Sequence, residues 1–325
     1  MFTVDLKRRL FMPPPVCLRS QNHHEKLESL LPQVDSRMRD ATGASAGFSA
    51  AGEVGARSAA AYHLSAGGQR VRARLGLAAG LALGLTDNDT LCIATCAELM
   101  HNASLIHDDL QDRDQFRRGQ QALWAKYGGN LAICSGDFLL SAAYCALCTI
   151  SQSGVLPSML SLLHERTARA IDGQCADLAG LDGKAGSIGL YTKIAMAKSG
   201  ALLGLPLELA LLASGHTDAM PAARQACESF AVSYQIFDDL EDLAGDAARS
   251  DSGGKSRPAM NIALIFMESH SHADAIFRAR DLGLQQLALC ESSAARLPSN
   301  AGALLLGFSA DMRRKLAAIS SLETC

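Results

Sequence analysis

Residues 98–112 read ELMHNASLIHDDLQD, an apolar run that ends in the acidic cluster Asp108-Asp109-Leu110-Gln111-Asp112. The pattern returns at residues 230–242, FAVSYQIFDDLED, where the cluster is Asp238-Asp239-Leu240-Glu241-Asp242. Neither run alternates as a strand does, so each cluster is expected at the end of an apolar helix. Residues four apart share a helix face, and the first and last aspartates of each cluster are therefore expected to project together.

The aspartates of these clusters are candidate metal ligands: Asp108, Asp109, Asp112, Asp238, Asp239 and Asp242. Like charges four residues apart destabilise a helix by roughly 0.2–0.5 kcal/mol per pair, a cost that a bound cation would reverse. Carboxylate oxygens suit Mg²⁺, which binds through one or two of them and completes its shell with water and substrate phosphates. One such cluster would more often be a solvated acidic face, but two with identical spacing favour a metal site. Neither has the Asp-x-Asp-x-Asp-Gly pattern of a calcium loop.

Two Mg²⁺-binding clusters beside apolar helices predict a particular chemistry. Metal ions held there would neutralise a diphosphate and stabilise it as a leaving group. The apolar helices would hold the hydrocarbon part of the same molecule. The sequence therefore predicts an enzyme that ionises an allylic diphosphate in a dry pocket.

The rest of the chain also favours helices. From His23 onward the good helix formers Ala, Leu, Met, Gln, Glu and Arg dominate, and strands are not expected. One helix face, with apolar residues at the i, i+3, i+4 and i+7 positions, is formed by Leu27, Leu30, Leu31 and Val34. The prediction is an all-α fold, a single domain over residues 22–325 with about ten helices bundled around a central apolar cavity. Residues 1–21 are predicted to be a disordered tail.

Composition and charge argue against several classes of protein. Of the 325 residues, 48% are hydrophobic and 19% are charged, which allows a sizeable core. The net charge of −3 argues against a nucleic-acid-binding face. The N-terminal stretch has no apolar targeting segment, and the most apolar region, residues 201–214, is predicted to be too short to span a bilayer. Neither a nucleic-acid partner nor a stable membrane anchor is expected.

The ten cysteines predict a reduced, cytoplasmic protein. The cysteines that lie in Ala- and Leu-rich runs, and are expected to be small buried hydrophobes, are Cys92, Cys96, Cys134, Cys145, Cys148 and Cys175. Cys145 and Cys148 have the spacing of a zinc knuckle. No second pair lies at metal-site distance in the sequence, so a zinc site is not expected.

Six motifs resemble, in order, those of the trans-isoprenyl diphosphate synthase (polyprenyl synthetase) family over about residues 62–258. They are Gly67-Gly68-Gln69-Arg70-Val71-Arg72, the run Glu98 to His107, Arg117-Arg118-Gly119, Gly173-Gln174-x-x-Asp177, Lys198-Ser199 and Tyr234-Gln235-Ile236-Phe237. With the aspartate clusters, this resemblance implies an all-α enzyme that joins an allylic diphosphate to isopentenyl diphosphate. It also implies Mg²⁺ as cofactor and a homodimer.

The resemblance implies roles for individual residues. Isopentenyl diphosphate would be bound by Gln69, Arg72, His101 and Arg118. The allylic diphosphate would be bound by Arg117, Lys198, Ser199, Gln235 and Lys255. The catalytic set would be Asp108, Asp109, Asp112, Asp238 and Lys198. Chain length would be set by Met100, Ala103 and Ser104, and the small residues at 103 and 104 predict a product of about twenty carbons or longer.

Two departures from the family pattern keep other functions open. Gln69 stands where the family has a phosphate-binding lysine, which predicts weaker binding of isopentenyl diphosphate. After Asp242, only Gly254-Lys255-Ser256-Arg257-Pro258 matches the family's longer lysine-containing loop. A terpene cyclase on the same scaffold is one alternative, favoured by Gln69 and opposed by His101 and Arg118. A non-catalytic partner subunit is another, opposed by the two intact clusters.

Overall fold

The structure, a computed structural model, describes residues 21–43, 54–179, 187–243 and 260–319. Its α-helices are α1 Gln21–Thr42, α2 Ala56–Ser65, α3 Val71–Ala82, α4 Asp87–Asp112, α5 Leu123–Tyr127, α6 Gly129–Ala146, α7 Leu156–Ala179, α8 Ile188–Ala195, α9 Ala201–Ala213, α10 Met220–Glu241, α11 Ile262–Met267, α12 His272–Ala294 and α13 Ala303–Ile319. A π-helix, Met196–Gly200, joins α8 to α9, and 3₁₀ helices span Ser153–Val155, Thr217–Ala219 and Pro298–Asn300. The all-α prediction is confirmed. The predicted tail, residues 1–21, and Lys255 lie outside the described residues, except for Gln21, where α1 begins.

The chain packs into two units. Among the described residues, the first unit contains everything up to Leu163 together with Leu209–His216. The second contains His164–Glu208 and everything from Thr217 onward. The single domain over residues 22–325 stays a prediction.

Helix α4 is the buried centre of the first unit. Every residue from Asp89 to Met100 is buried, as expected for a helix that is apolar on most sides, and α4 packs against α3 and α6. The hydroxyl of Thr86 caps its N-terminus by accepting a hydrogen bond from the Asp89 N–H at 3.1 Å. Arg113 ends it with a φ of 61°. The helix therefore runs out of the core and ends at the first acidic cluster.

Helix α10 has the corresponding place in the second unit. It packs against α12, and its residues Phe230, Val232 and Ile236 are buried. The buried cluster around Val232 and Ile236 also includes Tyr191, Ala195, Ile262 and Ala279. The last helical residue is Glu241 and Asp242 is the C-cap. The second acidic cluster therefore also lies where a core helix ends.

A buried ion pair joins α7 to α9 within the second unit. Arg166 Nε and Nη2 donate to Glu208 Oε1 and Oε2, both at 2.8 Å, and each side chain is 1% exposed. Glu165, which is 61% exposed, lies 3.1 Å from Arg166 Nη1. Such a pair is costly to break from one side, because the remaining charge stays buried.

One short strand pair contradicts the expectation of no strands. Strand β1, Phe116–Arg117, pairs antiparallel with β2, Gln120–Gln121. Between them Arg118 and Gly119 have φ angles of 53° and 83°, and positive φ at both central residues is what a type I′ hairpin turn requires. Two-residue strands are too short to show the alternation by which strands are recognised in a sequence.

The helix from Ile188 to Ala213 corrects the prediction that this apolar region is too short to span a bilayer. Helices α8 and α9 and the π-helix between them are continuous over 26 residues with a mean hydropathy of 1.4. Of the helices searched in the described part of the chain, this is the one long and apolar enough to cross a membrane. In this structure 78% of its most apolar stretch is buried, as in a helix of a protein core.

The predicted burial of the cysteines is correct for two of the six and wrong for four. Cys92 and Cys96 are buried in α4, whereas the cysteines found exposed are Cys134, Cys145, Cys148 and Cys175. Ala- and Leu-rich composition predicts a helix but does not tell which of its faces is covered. The cysteines in the described residues are free thiols.

Candidate active site

The three aspartates of the first cluster differ in exposure. Asp109 is 1% exposed and accepts hydrogen bonds at Oδ1 from Arg117 Nε, at 2.7 Å, and from Arg117 Nη2. Asp108 is 25% exposed, with its Oδ2 3.9 Å from Arg117 Nη2, and Asp112 is exposed. Burial raises the pKa of Asp109, an effect that the neighbouring guanidinium opposes. Asp109 therefore holds Arg117 beside Asp108.

Arg118 lies against the Gly67-Gly68 turn. Its Nη1 donates to the Gly67 carbonyl oxygen, and a Cβ added at Gly68, whose φ is +140°, would lie 2.6 Å from Arg118 Cζ. Glycine at this position lets the backbone approach the guanidinium. Burial, together with the nearby Arg70 and Arg117, lowers the pKa of Arg118 against the opposing effect of Glu98.

Two histidines lie among these guanidiniums. Burial, with Arg118 and Arg117, lowers the pKa of His63 to about 3. Burial, with Arg72 and Arg118, holds the pKa of His101 well below its usual range. Both imidazoles are therefore neutral at pH 7, surrounded by positive charge. His63 is only 2% exposed, and the sequence analysis did not identify it.

Arg70 orders the loop before α3. It occupies the N-cap of that helix with a φ of 54°, donates from Nε to Asp35 Oδ1 at 2.8 Å, and lies 3.5 Å from Glu98 Oε1. Glu98 also accepts from the Ala73 N–H at 3.1 Å. Gln69 and Arg72, on either side of this anchored residue, are half-buried. The loop thereby places residue 72 near His101.

In the second cluster the middle aspartate is again the buried one. Asp239 is 5% exposed and accepts hydrogen bonds from the Tyr191 hydroxyl, the Ile262 N–H and Gln235 Nε2, each at 2.8 Å. Asp238 is half-buried and Asp242 is exposed. Asp239 therefore connects α8, α10 and the start of α11, and the predicted ligand-contacting Gln235 faces this carboxylate.

Lys198 lies in the π-helix of the second unit. Its Nζ is 2.8 Å from Asp177 Oδ2 on α7, and Ser199 beside it is half-buried. A Cβ added at Gly173 would lie 2.4 Å from the backbone nitrogen of Lys198, so glycine there allows α7 to approach this turn. Single π-helical turns are frequent at functional sites.

The residues predicted to set chain length lie on α4, before the first cluster. Met100 and Ala103 are 2% and 1% exposed. Ser104 is half-buried and donates its hydroxyl to the His101 carbonyl oxygen at 2.8 Å. All three lie within one or two helical turns of Asp108.

The donors of both clusters fit Mg²⁺. In the described part of the chain, no group of three or more His, Cys, Asp or Glu side chains converges on one point. Mg²⁺ does not need such a group, because it keeps several waters and binds through one or two carboxylates plus substrate phosphates. The carboxylates that reach solvent at the two helix ends are those of Asp108, Asp112, Asp238 and Asp242.

Comparison with known proteins gives a family and a set of relatives. The family model described as polyprenyl synthetase matches residues 55–256. A farnesyl diphosphate synthase from Geobacillus stearothermophilus is 35% identical over 203 residues, which are 58% of this chain and 66% of that protein. The chain spans between 58% and 66% of the length of this relative and of two archaeal short chain isoprenyl diphosphate synthases.

Solved structures share the fold over nearly their whole length. A geranylgeranyl pyrophosphate synthetase from Geoglobus acetivorans superimposes with a TM-score of 0.76 at 20% identity, over 88% of this chain and 99% of that one. A polyprenyl synthase from Caulobacter crescentus, complexed with calcium and isoprenyl diphosphate, gives 0.72 at 20% identity, over 90% and 97%. The all-α fold is therefore shared with these proteins.

Proposed function

Because the chain belongs to the polyprenyl synthetase family, we propose that it is a Mg²⁺-dependent trans-prenyltransferase. It condenses an allylic diphosphate with isopentenyl diphosphate. Relatives named farnesyl, geranylgeranyl and octaprenyl diphosphate synthase support this reaction class. The calcium and isoprenyl diphosphate in the structure of the Caulobacter relative support a divalent metal.

The observation that carries the proposal is a cationic cluster beside the first acidic cluster. Arg117 and Arg118 lie close enough to the neutral His63 and His101 to lower their pKa values, and Arg117 Nη2 is 3.9 Å from Asp108 Oδ2. Guanidiniums bind phosphate oxygens in a forked geometry. Positive groups for phosphate and carboxylates for a metal thus lie together in the first unit.

Metal binding is assigned to Asp108, Asp112 and Asp238, and Mg²⁺ held there neutralises the diphosphate as it leaves. Asp109 and Asp239, both buried, orient their neighbours instead. Asp109 does so through Arg117 and Asp239 through the ends of α8 and α11. This division assigns two of the six predicted metal ligands to positioning.

The basic residues bind and orient the two substrates. Arg117 and Lys198, each held by an aspartate, bind the allylic diphosphate. Arg72 and Arg118 bind isopentenyl diphosphate, and the neutral His101 donates a hydrogen bond to it. The double bond of isopentenyl diphosphate attacks the allylic carbon as the diphosphate leaves. The proton lost afterwards goes to that diphosphate, so no separate side-chain base is needed.

The remaining predicted contacts belong to the same proposal. Gln69 contributes an amide to the isopentenyl site, and Lys255 a second lysine to the allylic site. Ser199 and Gln235 border the allylic diphosphate, and Gln235 already donates to Asp239. A homodimer and a cytoplasmic location complete the proposal, and light scattering of the purified protein tests the first of these.

A product assay tests the function. Purified protein is incubated with Mg²⁺, labelled isopentenyl diphosphate and, separately, dimethylallyl, geranyl or farnesyl diphosphate. We expect label in a longer prenyl alcohol only after phosphatase treatment. Hydrocarbon released from the allylic substrate alone would make the protein a terpene cyclase. Neither product, in protein that binds the substrates, would favour the non-catalytic partner subunit.

The product length is proposed from the helix before Asp108. Ala103 is small and buried, and Met100 follows one turn deeper, so a chain of about twenty carbons or longer is expected. Ala103→Phe fills the space at this level and should shorten the product, whereas Ser104→Ala, which keeps a small side chain, should not. Chromatography of the dephosphorylated products measures the length. An unchanged length in Ala103→Phe would place the floor of the pocket elsewhere.

A further inference from the structure

A cavity of about 610 Å³ opens in the first unit among α1, α2, α4 and α6. Its volume lies within the range of about 300–1,000 Å³ typical of small-molecule pockets. On α4 it reaches Leu99, Thr95 and Asn88, of which Leu99 is nearest to Asp108, about 14 Å along the helix axis at 1.5 Å per residue. The residues predicted to set chain length are not among its lining.

The lining of the cavity is positively charged. Of the described residues that form it, Arg37 and Arg57 are basic and none is acidic. Arg37 is partly buried and donates to Asn88 Oδ1 at 2.9 Å and to Cys92 Sγ at 3.4 Å, which are neutral acceptors, and it forms no ion pair with any residue that the structure describes. A partly buried charge without a counter-charge is unfavourable. An anion bound at Arg37 would remove that cost.

A buried hydroxyl at the cavity also has no partner. Thr95 is 3% exposed, and its Oγ1 makes no hydrogen bond within the described residues. A buried polar group without a partner costs about 1–3 kcal/mol. Thr95 lies on the same side of α4 as Asn88, two turns away, so the hydroxyl and the Arg37 guanidinium bound the same cavity.

The rest of the wall is apolar. Leu99 is fully buried, and Ala142, Ala146 and Phe138 line the α6 side. The Arg57 guanidinium lies 5.2 Å from the centre of the Phe138 ring, a cation–π arrangement that holds it at the wall. Positive charge and an apolar surface in one cavity match a molecule that has an anionic head and a hydrocarbon tail.

We propose that this cavity binds an amphiphile with an anionic head and a short hydrocarbon tail. Arg37 binds the head, Thr95 donates its hydroxyl to an oxygen of the ligand, and Leu99 and Phe138 contact the tail. A prenyl phosphate and a fatty acid share this chemistry. The site does not depend on the proposed prenyltransferase activity, because its test measures binding.

Cys145 offers a direct readout of occupancy. It lines the cavity and is exposed, whereas Cys148, also exposed, lies one turn further along the chain and does not line it. The alkylation rates of both thiols by iodoacetamide are measured by tandem mass spectrometry. Geranyl monophosphate, decanoate and inorganic diphosphate are the probes. We expect a probe with both head and tail to slow Cys145 and to leave Cys148 unchanged.

Variants test the assigned contacts. Arg37→Gln should weaken protection of Cys145 about tenfold, the effect of losing a charged hydrogen bond of roughly 1.4 kcal/mol or more. Arg39→Gln, on the exposed side of α1, should have no effect. Thr95→Val keeps the side-chain shape and should weaken binding about fivefold. Thermal unfolding verifies that each variant is folded, and turnover should stay at the wild-type level.

The outcomes separate the sources and the alternatives. Protection by geranyl monophosphate or by decanoate supports the site and identifies its ligand as a prenyl phosphate or a fatty acid. Protection by inorganic diphosphate alone, or by no probe, overturns the proposal. Protection that disappears in Ala103→Phe would mean that the tail comes from the Asp108 site, and would overturn a separate pocket. Concentration-dependent protection of Cys145 without any probe would assign this face to an interface between copies and also overturn it.

Discussion

Neighbouring aspartates in each cluster do different work because a helix turns about 100° per residue. Asp108 keeps a quarter of its side chain exposed, while Asp109 is enclosed and bound to both Arg117 nitrogens. Asp239 is enclosed in the same way by Tyr191 and the α11 backbone. One carboxylate thus faces solvent and the next fixes a neighbouring element.

This division predicts opposite effects of two adjacent substitutions. Asp109→Asn removes the charge that pairs with Arg117 and should lower the free energy of unfolding by about 1–3 kcal/mol. Asp108→Asn should abolish turnover, because a proposed metal ligand is lost, and should change stability by less than about 0.5 kcal/mol. Urea denaturation and the product assay measure the two quantities. Equal losses of stability would contradict the distinction.

His63 predicts a pH-dependent loss of stability. Its pKa is about 3 in the folded protein and 6.5 in the unfolded chain, so below pH 6.5 the unfolded chain binds a proton that the folded protein does not. Stability should therefore fall as the pH falls from 6.5 towards 3, by up to about 1.4 kcal/mol per pH unit from this group. His101 contributes in the same direction.

The contribution of His63 is isolated with His63→Asn. Urea denaturation at pH 7.0, 6.0 and 5.0, in buffers without phosphate, should give a shallower pH dependence for this variant than for the wild type. His164→Asn, at an exposed position, serves as the control and should retain the wild-type dependence. Identical slopes for His63→Asn and the wild type would show that the buried imidazole does not cause the effect.

At the residue scale the sequence predicted the kind of chemistry better than the function of each carboxylate. The spacing of Asp108 and Asp112 indicated a shared helix face, but the burial of Asp109 depends on how α4 is rotated against its neighbours. His63 had no pattern of its own, because its surroundings come from Arg117 and Arg118, more than fifty residues away. Long-range electrostatics of this kind cannot be derived from local spacing.

At the scale of elements, glycine determines how closely helices approach functional turns. The Gly173-Gln174 motif was recognisable in the sequence, but its physical reason was not. A side chain at Gly173 would collide with the Lys198 backbone. Similarly, the helix-rich pattern predicted α4 and α10 with their acidic ends, while the hairpin that positions Arg117 and Arg118 was missed. Two-residue strands leave no periodic signal.

The ion pair between α7 and α9 predicts a large difference between two glutamates that contact the same arginine. Glu208→Gln leaves the Arg166 charge buried without a full counter-charge and should cost about 3–5 kcal/mol. Glu165→Gln removes an exposed partner and should cost less than about 1 kcal/mol. Urea denaturation of both variants measures the difference. A similar loss in both would mean that Arg166 is effectively solvated.

At the scale of the whole molecule, the family match and the folded unit end at different places. The matched segment ends at residue 256, but the core of the second unit continues into the last three helices. Ile262 and Ala279, beyond the match, are fully buried against Val232 and Ile236 of α10. Asn261 donates to the Asp239 carbonyl oxygen at 2.7 Å. Residues outside the recognisable motifs therefore hold the second acidic cluster in place.

A chain that stops after residue 259 should consequently fail to form the second unit. Removing α11, α12 and α13 exposes Val232 and Ile236 and takes away the Ile262 N–H that binds Asp239. Each large buried side chain contributes about 1.5–3 kcal/mol, so the loss of several exceeds the total stability of about 5–15 kcal/mol typical of a domain. We expect dye binding to exposed apolar surface, no cooperative urea transition and no turnover. A chain that begins at residue 21 is the control and should behave as the full chain does. Cooperative unfolding with turnover in the shortened chain would show that the matched segment folds and acts without the last three helices.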